Sequence, residues 1–101
     1  MGRTVNVGVD LPTLYDNLTP AGRRRVREQY VQEQGGMCWF CKEDLDEAPP
    51  TKVTDKPINL RLFPPGFLKS PVHLQHDHVT GLTEGAVHGY CNAVLWQYMG
   101  R

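Results

Sequence analysis

The sequence predicts a small α+β domain, and three observations carry that reading. A helix start and a helix stop bracket residues 19–36. Two short strand-like runs flank a turn at 79–81 and lead straight into a last helix. Cysteines and histidines stand as two half-sites, Cys38-x2-Cys41 and His88-x2-Cys91, one before the strands and one at their end. At 101 residues the chain has the length of one domain, 1–101. A chain this short buries a modest core, so a bound metal or a second subunit would help it.

Taken in order, Val5, Val7 and Val9 alternate with Asn6 and Gly8, which suits a short strand ended by Asp10 to Pro12. Thr19-Pro20 is a hydroxyl N-cap followed by proline at the first helical position, so a helix is expected over 20–34. Gly35-Gly36 should stop it. Val26 and Tyr30 form its narrow apolar stripe. Arg23, Arg24, Arg25 and Arg27 make the segment 19–34 a basic helix, readable as a solvated face or as a phosphate-contacting one. Residues 37–42 read as a tight turn around two cysteines.

Residues 43–71 hold Pro49, Pro50, Pro57, Pro64, Pro65 and Pro71 and read as an irregular insertion. Ile58, Leu60, Leu62, Phe63, Phe67 and Leu68 are expected to pin it to the domain. A loop of that length in a small domain is usually functional or inserted. Residues 72–99 then form the core unit. It comprises a strand at 72–75, a turn at Val79-Thr80-Gly81, a strand at 82–88 and a helix at 90–99. Val94, Leu95, Trp96 and Tyr98 of that helix are expected to face the core.

Eleven Lys and Arg balance eleven Asp and Glu, so net charge is zero. That balance argues against a generic nucleic-acid glue. The distribution is uneven, with arginines in the first helix, lysines in the insertion, an acidic run at 43–47, and no Lys or Arg from Ser70 to Gly100. No stretch approaches the roughly 20 apolar residues of a membrane span, and residues 1–12 lack a secretory apolar run. A cytoplasmic protein without membrane contact is expected. The sequence leaves a homodimer open.

Three cysteines are an odd count, which points away from disulfides and toward metal. Cys38, Cys41, His88 and Cys91 offer the Cys3His set of a structural zinc site. The alternatives are a buried, inert Cys91 beside a redox pair at Cys38 and Cys41, or His73 as fourth ligand. Zinc would leave His73, His76 and His78, packed together in "HLQHDH", free for other work; a second metal patch is the rival reading. Asn92 follows Cys91 at the head of the last helix. Phosphodiester hydrolysis needs a base for water and a divalent cation. An imidazole suits the first role and an amide oxygen the second.

The stretches "EQGGMCWFC", "QHDHVTG" and "HGYCN" resemble the His-Me finger (HNH, ββα-metal) nucleases, in particular the phage recombination endonuclease VII family. That family carries Q-G-G-x-C-x2-C upstream. It then has D-H-x-H, a T-G turn, an R-G and C-x2-C-N. The resemblance covers residues 28–43 and 72–96. It implies a zinc-bound ββα-metal fold with an N-terminal helix, and a metal-dependent DNA endonuclease activity. On it, His76 matches the general base, and Asn92 a ligand of catalytic Mg2+ or Mn2+. His78 matches a supporting histidine, and His73 a further one near the scissile phosphate. Cys38, Cys41, His88 and Cys91 match the structural zinc positions. Arg23, Arg24 and Arg27 would grip the DNA backbone, which implies low sequence specificity or structure-specific cutting. Members that resolve branched DNA use further chain for dimerisation, so the resemblance does not carry junction resolution over to this chain. A phage-encoded protein of this kind would act in the host cytoplasm.

This chain departs from the family at three positions. Gln75 stands where the family has its cation-binding Asp, Glu84 where it has Arg, and His88 where it has a zinc-binding Cys. Gln75 is expected to reach the ion through its amide oxygen, more weakly than a carboxylate would. The contrasting expectation is a silent zinc module that binds nucleic acid or a protein.

Overall fold

A computed structural model of the chain describes residues 8–100. Among these residues, three α-helices and two strands build an α+β fold, in the order α1 (Pro20–Glu33), α2 (Thr51–Thr54), β1 (Val72–His76), β2 (Thr83–His88) and α3 (Gly89–Met99). The strand expected at Val5, Val7 and Val9 lies outside the described residues except for Val9. There the Gln29 side chain takes the backbone N–H (3.0 Å) and bonds the carbonyl (2.8 Å).

α1 begins and ends as its sequence requires. Thr19 Oγ1 accepts the Gly22 N–H at 3.0 Å, with proline in the first turn. Gly35 and Gly36 take left-handed φ values of 65° and 80°, which costs glycine little. The Gly36 N–H then closes the helix on Val31 O at 2.9 Å. Val26 and Tyr30 are its buried residues, as the stripe predicted.

The chain turns immediately into the first cysteine pair. Cys38 N–H donates to Glu43 O, and Lys42 N–H to Cys38 O, with Lys42 itself at φ 67°. Gln34 ties this turn to β2. Its amide nitrogen donates to Met37 O (2.6 Å) and Ala86 O (2.9 Å), and its oxygen accepts the Ala86 N–H (2.8 Å). The side chain thus does for β2 what a third strand would do.

β1 and β2 form one antiparallel ribbon, with Val72 opposite His88 and Gln75 opposite Gly85. His76 faces Thr83, so Glu84 is the extra residue of a bulge. Asp77 shapes the loop between the strands, its carboxylate accepting the Val79 and Thr80 N–H groups. The segment before α1 lies along this hairpin: Tyr15 N–H donates to Gly81 O, and Thr83 N–H to Thr13 O, both at 2.8 Å.

Gly85, Ala86, Val87 and His88 are all buried. Successive strand residues point to opposite faces, so both faces of β2 are covered. α1 and α3 both pack on the ribbon. Val94 and Leu95 enter the core as expected.

Two expectations are corrected. Trp96 and Tyr98 are 42% and 47% exposed and do not face the core. They face the insertion: Trp96 meets Phe63 edge-on at 5.5 Å, and Tyr98 OH bonds Pro57 O. The insertion is also more ordered than a loop, with α2 and short 3-10 turns at Leu60–Leu62 and Phe67–Lys69. Leu60, Leu62 and Leu68 do not pin it, since they are exposed; Leu45 and Val53 are its buried anchors. Tyr90 OH adds polar ties to Thr54 O and Lys56 O.

Candidate metal centre and adjoining cleft

The two half-sites meet. Cys38 comes from the turn after α1, Cys41 from the same turn, His88 from the end of β2, and Cys91 from the first turn of α3. All four are buried, and their ligand atoms lie within 4.8 Å of one another. His88 Nδ1 is 3.4 Å from Cys41 Sγ and 3.6 Å from Cys91 Sγ. His88 Nε2 lies 2.9 Å from both Asp44 O and Glu47 O. A carbonyl only accepts, so Nε2 carries the proton and Nδ1 turns its lone pair to the sulfurs. This outer-sphere contact to backbone is what a ligating histidine ordinarily has. It gives the acidic run at 43–47 a structural role through its main chain.

The thiols are electrostatically linked. The neighbouring Cys91 thiol, with backbone donors, lowers the Cys38 pKa to about 4. The bond to Cys38 and burial push Cys91 up, and burial chiefly pushes Cys41 up. One thiolate is therefore favoured, and the next two negative charges are resisted until a cation offsets them. Three sulfurs and one imidazole nitrogen are the donor set of zinc. Cys91 is a member of this cluster, not an isolated apolar filler. His73 is not in it.

Beside the ribbon lies a cleft of about 280 Å³. It brings together Gln75, His76, His78 and Asn92, four of the residues singled out from sequence. Phe63 and Phe67 of the insertion and Trp96 of α3 also line it. His73 does not. It stands behind Asn92, its Nδ1 3.1 Å from Asn92 Nδ2, and edge-on to Phe67 at 4.6 Å.

His76 is held in a stack. Tyr15 lies nearly parallel to it, with ring centroids 4.0 Å apart at 12°, and His78 meets it edge-on at 4.5 Å. Arg23 covers the other face of Tyr15, its guanidinium carbon 4.0 Å from the ring centroid. Burial lowers the His76 pKa below the ordinary histidine value, helped by the charge of His78. Burial also lowers that of His73. Neutral imidazoles are therefore favoured at neutral pH, and a neutral imidazole can accept a proton.

Gln75 is 1% exposed. Its amide nitrogen donates to His76 O (2.9 Å) and to Glu84 Oε1 (3.3 Å). Gln75 and Glu84, two of the three positions at which the sequence departs from the motif it resembles, thus touch. The three arginines are not gathered at the cleft, since none of Arg23, Arg24 and Arg27 lines it. Arg23 serves the Tyr15 stack, and Arg24 is exposed on α1.

Sequence reasoning passed over Tyr15, Gln34, Phe63 and Phe67 as site residues. Gln34 carried a signal, since it opens the Q-G-G stretch. Tyr15 carried none, because its partner His76 is remote in the chain. Comparison of the chain with protein families, curated proteins and solved structures gave no match.

Proposed function

We propose that this protein is a metal-dependent DNA endonuclease of His-Me finger type. One observation carries the reading: a single cleft holds a stacked imidazole, His76, beside two side-chain amides, Gln75 and Asn92. The hairpin and helix that supply them are joined at a buried Cys3His cluster. In this reading zinc is structural, held by Cys38, Cys41, His88 and Cys91, and it fixes Asn92 one residue after a ligand.

His76, favoured neutral and fixed by Tyr15, takes the proton of the attacking water. His78 meets the ring edge-on and is exposed, so it packs His76 in place at the mouth of the cleft. Mg2+ or Mn2+ bound at the amide oxygens of Asn92 and Gln75 would neutralise charge at the scissile phosphate. Phe63, Phe67 and Trp96 offer aromatic surface on which a base of the substrate can stack. That contact suits a chain of zero net charge, whose cationic residues include the α1 arginines and Lys52, Lys56, Arg61 and Lys69 of the insertion but none from Ser70 to Gly100.

The test is nicking of supercoiled plasmid with Mg2+ or Mn2+, beside His76→Ala and Asn92→Ala. Activity in the wild type that both variants lose supports the enzyme. Equal traces in all three reject it. The cleft's lack of a lining arginine favours one other reading, a silent zinc module that binds nucleic acid without cutting it; retention of DNA without nicking would select that reading.

A further inference from the structure

We propose that Glu84 and His73 are positioning residues that turn the side-chain oxygens of Gln75 and Asn92 into the cleft, making one cation subsite from two neutral amides. The inference rests on the endonuclease reading and names how its cation is held.

An amide group has two N–H donors at one end and an acceptor oxygen at the other. At Gln75 both donors are engaged, one by His76 O and one by Glu84 Oε1. A backbone carbonyl and a carboxylate only accept, so the nitrogen cannot trade places with the oxygen. Among the described residues the Gln75 oxygen accepts no hydrogen bond, and Gln75 lines the cleft. The unengaged end of the amide is therefore the oxygen.

Asn92 follows the same logic through His73. His73 Nε2 and Ser70 O lie together against Gly89, where an added Cβ would stand 3.0 Å and 2.9 Å from them. An amide nitrogen only donates, so His73 Nδ1 is the acceptor when Asn92 Nδ2 faces it, and the proton of the neutral ring then sits on Nε2, on the Ser70 side. Asn92 thus presents its nitrogen to His73 across the 3.1 Å contact. Its oxygen is left for the cleft it lines.

Glu84 adds charge as well as orientation. Its carboxylate stands one hydrogen bond behind Gln75, so the subsite gains negative potential without a carboxylate in its first ring of ligands. A hard cation prefers oxygen donors, and Mg2+ keeps several waters besides one or two protein ligands.

The experiment uses the zinc-loaded chain of residues 1–101 with Mn2+ alone, followed by electron spin resonance titration and by broadening of side-chain amide NMR signals. Wild type should bind Mn2+ with both the Gln75 and Asn92 amide signals broadened first. Glu84→Leu and His73→Phe should each weaken binding by roughly 10-fold or more, the usual reach of an outer-sphere partner. Glu84→Gln keeps an acceptor for Gln75 and should lose less than Glu84→Leu. Unchanged affinity in folded Glu84→Leu and His73→Phe overturns the inference. So does broadening centred on the acidic run at 43–47, a result the wild type alone can give. If the wild type nicks DNA while those two variants bind Mn2+ normally, the inference fails and the endonuclease reading stands. If Mn2+ binds as described and no DNA is cut, the reverse holds.

Discussion

Replacing Gln34 with alanine removes the side chain that stands in for a third strand. The cost follows from the three bonds it makes. Met37 is exposed, so its carbonyl regains water at little cost. Ala86 O keeps a partner, because Trp39 N–H also donates to it at 2.9 Å. The Ala86 N–H is the group left stranded, on a residue with 0% exposure. A buried donor without a partner costs about 1–3 kcal/mol. Gln34→Ala should therefore lower unfolding free energy by roughly 2 kcal/mol, a large share of the ~5–15 typical of a domain. The assay is urea unfolding at fixed free zinc, paired with hydrogen exchange at Ala86. Gln34→Glu sharpens it, since a carboxylate would face the Met37 and Ala86 carbonyls at neutral pH and could donate again only when protonated. A change under about 0.5 kcal/mol in Gln34→Ala, or full protection of the Ala86 amide, would refute the reasoning.

Three further outcomes are expected. Stripping metal with a chelator should melt the hairpin together with the start of α3, because His88 and Cys91 flank that junction. Circular dichroism would follow it, and helix and strand signals unchanged in metal-free protein would count against a structural zinc. Stability should fall in acid: His73 and His76 have pKa values below their unfolded value of about 6.5. The unfolded chain then binds more protons in that range, so the contribution is fully present above about pH 6.5 and is lost as pH drops through the folded values. Substitution of both residues by Gln should flatten this part of the urea–pH profile. Lastly, Gln75→Asp alone sets a second carboxylate beside Glu84 and should destabilise the fold in metal-free cleft conditions. Gln75→Asp with Glu84→Arg should recover the loss, and equal stability of the single and double variants would show that the two positions do not interact.

Much of the fold was legible because its signals are local. The Thr19-Pro20 start and Gly35-Gly36 stop of α1 depend on backbone geometry within a few residues. The four cluster residues could be paired because both half-sites have the same spacing. The errors lie where partners are distant. Trp96 and Tyr98 looked like core positions on a helix, yet the insertion, not the ribbon, meets them. Leu60 and Leu62 looked like anchors by hydrophobicity alone, while Leu45 and Val53 do the anchoring. His73 looked equivalent to its neighbours in "HLQHDH", but strand alternation and the Asn92 contact separate it from His76. Neither the Tyr15 stack nor the Gln75–Glu84 contact leaves any trace in residue spacing.

The insertion departs from the cysteine cluster at Cys41 and returns to it at Pro71, whose carbonyl accepts the Gly89 N–H beside His88. Both of its ends are thus fastened at one place, whatever lies between them. Lengthening such a closed segment is cheap, about 0.6 kcal/mol per doubling. Its Phe63 and Phe67 form part of the cleft, while His76, Gln75 and Asn92 belong to the hairpin and last helix. Descendants of this chain could therefore exchange the stretch after Lys56 and reshape the cleft, with the Val53 anchor and with His76, Gln75 and Asn92 inherited intact. An engineer could graft loops between Lys56 and Ser70 to the same end.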